Sequence, residues 1–207
     1  MRIAIVAATL ALSLAAAPPA LAQSAPAAPC TARAANLGGI GRATVVAFTS
    51  PVFGARVCAV VANIAIDGFS ARLADAPASD ALVSAAVSGG GQVTLPLDGA
   101  TLTGVGPYVV EPGGVFPSFA GDISESPRVV FAYAGQRVLV IGTTAIALVD
   151  LARVLRTEPD LFGADAVERA VVLASGPAAA LVLNTADGPF GTPALAAPRL
   201  LLLIKRG

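Results

Sequence analysis

Apolar and polar positions fall into short runs along most of the chain, and glycine, proline and aspartate break them. Runs of four to eight β-branched or alternating residues between such breaks read as strands. On that basis Ala43–Thr49 and Arg56–Ile66 are strands, with a turn at Asp67-Gly68. Ala81–Val87 fits a strand or a helix. Val93–Leu97 is a short strand followed by an Asp98-Gly99 hairpin signal. Tyr108–Val110, Arg128–Tyr133 and Val138–Ile141 follow, the last two joined by a turn at Ala134-Gly135-Gln136. Ala170–Leu173 and Ala179–Leu183 are apolar strands. Arg199–Ile204 closes the series, and its unbroken apolar run from Leu200 suits a central strand.

One segment changes period. Leu148, Leu151, Ala152 and Leu155 stand at i, i+3, i+4 and i+7, which makes one helical stripe. Thr143 or Thr144 is a candidate cap, Pro159 a stop, and Asp150 and Arg153 a candidate pair on the opposite face. Gly163–Arg169 reads as a further helical turn. The sum predicts an α+β, strand-rich single domain with one or two helices packed on a mixed sheet.

The N-terminus reads as a leader. Arg2 precedes an apolar, alanine-rich run from Ile3 to Ala17, and Ala20-Leu21-Ala22 is a small-x-small cleavage site. Pro18-Pro19 ends the run short of the roughly 20 residues that a membrane span needs. The expected organisation is therefore a signal peptide over 1–22, an Ala/Pro-rich tail and linker over 23–42, and a domain over 43–207, in a secreted or periplasmic protein with no transmembrane segment after leader removal. An exported chain with two cysteines permits a bridge between Cys30 and Cys58, closing a 28-residue loop; two separately buried thiols are the alternative.

Composition then narrows the chemistry. The 207 residues are 56% hydrophobic and include no histidine, which excludes Ser-His-Asp triads, Cys-His pairs and histidine-ligated metals. Thirteen basic residues balance thirteen acidic ones, with a single lysine, so nucleic acid is not an expected partner. No carboxylate cluster has calcium-loop spacing, and Gly89-Gly90-Gly91 lacks the strand-Gly-Lys-helix setting of a phosphate loop. Neither a cofactor nor a metal is expected. Arg128, which follows Pro127 at the head of a core strand, could grip a phosphate through its planar fork, or it could be a strand-end arginine that is solvated or paired with Glu125.

The second half carries a recognisable order: Gly106-Pro107-Tyr108-Val109-Val110, Pro127-Arg128, a strand, Gly135-Gln136, a strand reading VLVIGT, a helix reading ALVDLARVL, then ERAVVLASG. This order resembles the phosphodiester glycosidase domain family, which includes an uncovering enzyme that removes N-acetylglucosamine from a phosphodiester and bacterial exopolysaccharide-associated proteins. The resemblance covers about Gly104 to Ile204. It implies a hydrolase of sugar–phosphodiester bonds, with Arg128 on the phosphate and Ser175 and Gly176 on the loop of the family's Asp-Gly-Gly motif. Asp67 is the candidate catalytic carboxylate. A sugar phosphate or an envelope glycan is the implied partner. Ala174 stands where the motif has its aspartate, and Pro177-Ala178-Ala179 replaces the polar stretch after it. The resemblance therefore also implies a second possibility: an inactive homologue, a pseudoenzyme that binds a glycan or phosphate or serves as an envelope interaction module.

Overall fold

The computed structural model describes residues 30–88, 91–94, 101–111, 113 and 123–207. The stretches read from sequence as a leader and as the tail before Cys30, together with Gly89-Gly90 and the Asp98-Gly99 hairpin signal, lie outside the described residues. The described chain contains β1 (Arg33–Asn36), β2 (Gly41–Thr49), β3 (Arg56–Ala65), β4 (Phe69–Ala74), β5 (Val83–Val87), β6 (Gly91–Thr94), β7 (Thr101–Val105), β8 (Tyr108–Val110), β9 (Ser126–Ala134) and β10 (Arg137–Ile146). Helix α1 (Leu148–Thr157) and a 3₁₀ turn (Pro159–Phe162) follow, then β11 (Arg169–Ser175), a second 3₁₀ turn (Gly176–Ala178), β12 (Leu181–Thr185), β13 (Gly188–Thr192) and β14 (Leu200–Arg206).

These strands form a seven-stranded sheet in the order β1-β2-β3-β10-β9-β11-β8, a five-stranded sheet in the order β13-β12-β5-β14-β4, and the hairpin β6-β7. The fold is an α+β, strand-rich single domain. Every ladder among the described residues is antiparallel, where the sequence suggested a mixed sheet. The reason is in the connections. A six-residue loop joins β2 to β3 and a two-residue turn joins β9 to β10, connections too short for a parallel crossover. The one helical crossover, β10-α1-β11, steps over β9, so its two parallel strands are not neighbours.

Strand alternation gives the large sheet two apolar faces. Val60, Ala62, Ile64, Phe131, Val138 and Val140 pack against Val83, Ala85, Leu181, Leu183, Leu202 and Ile204 of the small sheet. Val61, Val130, Leu139 and Ile141 face the other way, onto Leu148, Leu151, Ala152 and Leu155 of α1. The result is three layers with two cores. β14 lies between β5 and β4, as its continuous apolar run requires. Ala81–Val87 resolves as a strand, because β12 and β14 flank it on both sides.

Three local expectations change. Helix α1 starts after Ala147 with no side-chain cap, because β10 runs on to Ile146 and absorbs both threonines. Asp150 does not pair with Arg153 on the outer face; it is fully buried. The extra helical turn forms at Pro159–Phe162, ahead of Gly163–Arg169, and Gly163 closes it at φ 73°, a left-handed conformation that suits glycine. Strand order also begins at Arg33, inside the stretch read as tail and linker over 23–42. Cys30 and Cys58 form a disulfide with Cα atoms 5.4 Å apart, fastening the start of the described chain to β3.

Candidate functional site

Arg128 and the bend after Leu173 meet. In the β9–β11 ladder the register shifts between Val172 and Ala174, and this shift brings Ser175 opposite Arg128. Arg128 as a whole is 5% exposed. Its Nη1 donates to Ser175 Oγ at 2.8 Å, its Nη2 to the Ser124 carbonyl at 2.9 Å, and its Nε to the Ile146 carbonyl at 3.4 Å. A buried cation is tolerable only with such partners. Gly176 follows at φ 73° and turns the chain away from the sheet. Pro177 then accepts hydrogen bonds from the Leu195 and Ala196 amides, both at 2.8 Å, tying the bend to the 193–199 loop.

Thr143 lies opposite Arg128 on the other flank of β9. It is buried, and its Oγ1 has no hydrogen-bond partner among the described residues. The hydroxyls of Thr143 and Ser175 thus belong to the residues registered on either side of one arginine. Ala174 is fully buried between the two sheets, in the inner core. Its place in the ladder aims it inward, away from solvent.

Asp67 is elsewhere. It is exposed in the turn between β3 and β4. β10 pairs Thr143 with Arg128 and Arg137 with Ala65, so the Asp67 turn and Arg128 sit at opposite ends of the strands. Six strand positions separate those ends, roughly 20 Å at about 3.3 Å per residue. The structure brings Arg128, Ser175 and Gly176 together and leaves Asp67 apart.

A further acidic residue lies at the Arg128 end. Asp150, in the first turn of α1, accepts hydrogen bonds from the Val52 amide at 2.7 Å and the Phe53 amide at 3.4 Å. It thereby holds the β2–β3 loop, whose Val52 and Phe53 side chains stand about half exposed. Ser50 Oγ accepts from the Ala55 amide and closes the same loop. Thr144 Oγ1 accepts from the Cys58 amide nearby. Sequence periodicity gave no sign of Asp150, because its partners lie almost 100 residues away. Among the described residues, no group of three or more metal-ligating side chains is placed to hold a metal, and no helix is long and apolar enough to cross a membrane.

The chain matches no protein-family profile and no curated protein sequence. Among solved structures it is similar to the catalytic domain of zebrafish N-acetylglucosamine-1-phosphodiester alpha-N-acetylglucosaminidase, auto-inhibited by its pro-peptide. The fold resembles a phosphodiester glycosidase. The alignment covers 84% of this chain and 87% of that one, with 12% sequence identity and a TM-score of 0.57. At that identity the likeness is one of fold, and fold alone does not transfer an activity.

Proposed function

We propose that this is an exported protein of phosphodiester-glycosidase-like fold that binds a sugar phosphate or phosphorylated glycan without hydrolysing it. One observation carries the reading: on this fold, Arg128 is in register with Ser175 and the Gly176 bend. Positive charge, a hydroxyl and the amides of a turn are groups that recognise phosphate oxygens.

The chemistry of cleavage argues for binding over turnover. Breaking a sugar–phosphate bond releases a stable anion but leaves positive charge on the sugar carbon, which glycosidases stabilise with a carboxylate. By the family resemblance that carboxylate would precede Ser175, and Ala174 is there instead. Asp67 is at the far end of the strands. Losing one preorganised electrostatic contact typically costs about 3–4 kcal/mol of barrier.

The purified full chain should bind a sugar 1-phosphate by calorimetry, and Ser175→Ala should weaken binding about tenfold, the loss of one charge-linked contact. It should release no sugar from an aryl ester of a sugar 1-phosphate across a range of pH and divalent ions. Sugar release that Ser175→Ala or Arg128→Lys abolishes would establish hydrolysis in place of binding. Absence of binding by the natural chain would end both.

A further inference from the structure

We infer that the seven-stranded sheet carries a second binding site, at the end opposite Arg128, for a monosaccharide-sized anion: a sugar bearing a phosphate or a carboxylate. The site is a cavity of about 450 Å³ whose walls include Arg42, Asn63, Arg137, Asp160, Phe162 and Gly163. That volume is within the range of small-molecule pockets, about 300–1,000 Å³.

The sheet register assembles it. Arg42 in β2 pairs with Asn63 in β3, and Asn63 pairs with Leu139 in β10, two positions from Arg137. Residues two apart share a face. Leu139 packs toward α1, so Arg42, Asn63 and Arg137 lie on the helix side of the sheet, beside the 3₁₀ turn that follows the helix.

Asn63 is the keystone of this cavity. It is 7% exposed, and its amide is fully engaged. Nδ2 donates to the Gly163 carbonyl at 2.7 Å and the Phe162 carbonyl at 3.3 Å, while Oδ1 accepts from Arg137 Nε. One buried side chain therefore locks the 3₁₀ turn and aims an arginine. The turn comes so close that a Cβ on Gly163 would lie 3.0 Å from Asn63 Nδ2.

With Nε held by Asn63, Arg137 keeps its two terminal nitrogens. Among the described residues, no protein oxygen accepts a hydrogen bond from them or from any nitrogen of Arg42. Two guanidinium groups thus share one concavity without a hydrogen-bonded or ion-paired carboxylate among the described residues. Guanidinium matches carboxylate and phosphate with two parallel N–H···O bonds. Asp160 stands on the same wall and forms no ion pair within 4 Å among the described residues. Its carboxylate repels a second anionic group but accepts from hydroxyls. Cationic fork, hydroxyl acceptor and size together select an acidic or phosphorylated sugar over a bare anion or a neutral sugar.

This site is separate from the Arg128 bend and does not depend on the reading given to it. The test is calorimetry on the full chain with glucose 1-phosphate, glucuronate, glucose and inorganic phosphate. At least one of the first two should bind more tightly than glucose and inorganic phosphate, and which one binds tells phosphate from carboxylate as the recognised group. Arg42→Gln, an exposed position that should fold normally, and Arg137→Gln should each weaken that binding about tenfold or more. Asp160→Asn should weaken the sugar anion while strengthening inorganic phosphate. Ser175→Ala should leave unchanged the part of this binding that Arg42→Gln weakens, even where it removes a second, Arg42-independent component of glucose 1-phosphate binding at the Arg128 bend. Binding that is indifferent to Arg42→Gln but lost in Ser175→Ala would overturn the second site and leave the Arg128 reading standing. Equal affinity for glucose or for inorganic phosphate, or no binding by either sugar anion, would overturn it outright.

Discussion

Replacing Asp150 with alanine tests whether a buried carboxylate, and not the disulfide alone, sets the β2–β3 loop. The carboxylate is fully buried and accepts one short hydrogen bond, from Val52 at 2.7 Å, and one long one, from Phe53 at 3.4 Å. Hydrogen bonds to a charged group contribute about 1.5–3 kcal/mol each, and the long one counts for little. The two amides are partly open to water and can rehydrate once the loop lifts, which limits the penalty. The expected loss is about 2–3 kcal/mol for Asp150→Ala. For Asp150→Asn, which keeps one acceptor but presents an amide group to a donor, it is roughly 1–2 kcal/mol. Guanidinium unfolding followed by circular dichroism should show a lower midpoint at unchanged slope. For a domain of this size the melting temperature should fall by roughly 5–10 °C in the alanine variant. Protease cleavage within residues 50–55 should speed up more than cleavage elsewhere, since the opening is local. A loss below about 0.5 kcal/mol, with cleavage unchanged, would refute the reasoning.

Opening the Cys30–Cys58 bridge by Cys30→Ala should cost about 3–4 kcal/mol from its 28-residue separation, read as a shift in denaturation midpoint. Gly142→Ala should destabilise by about 1–3 kcal/mol, because its Cβ would meet Leu181 Cβ at 2.7 Å where the two sheets pack, and the slope of the unfolding curve should not change. Burial raises the Tyr133 phenol above its ordinary value of 10.0, the nearby Arg169 guanidinium opposing only part of the rise. The folded state then favours the neutral phenol. That contribution is present in full below pH 10 and is lost as pH rises toward the folded value, while the unfolded chain ionises first. Tyr133→Phe should flatten the alkaline fall in stability measured between pH 9 and about 11.5, and an unchanged profile would count against it.

The central strands were legible along the chain because each satisfies its own pattern, whereas β1, β4, β7 and β13 were not read as strands. β3, β9, β10 and β14 are apolar at nearly every position, and all four are sandwiched on both faces or flanked on both edges. The α1 stripe was legible for the same reason: Leu148, Leu151, Ala152 and Leu155 meet one continuous surface. Pairing direction was not legible, since alternation says nothing about which strand lies beside which. Asp150 looked like a solvated helix residue because its partners are two backbone amides in a distant loop, and amides leave no mark in side-chain patterns. The nearness of Arg128 to Ser175 followed from a family resemblance and not from spacing; the register shift that brings it about lies between Val172 and Ala174 and carries no special residue. Asn63, Arg42 and Arg137 were invisible as a set. Each reads alone as an ordinary polar interruption, and only the ladder joins them.

The outermost strands govern self-association. The large sheet ends in β1, four residues long, and β8, three residues long. The small sheet ends in β13, whose second residue is Pro189, and in β4, which carries Arg72 at mid-strand. A foreign strand needs a long, uncharged run of free donors and acceptors to add on, and none of these borders supplies one. At these four borders a chain rich in valine, leucine and alanine is thereby guarded against stacking with its own copies for as long as the native borders remain in place.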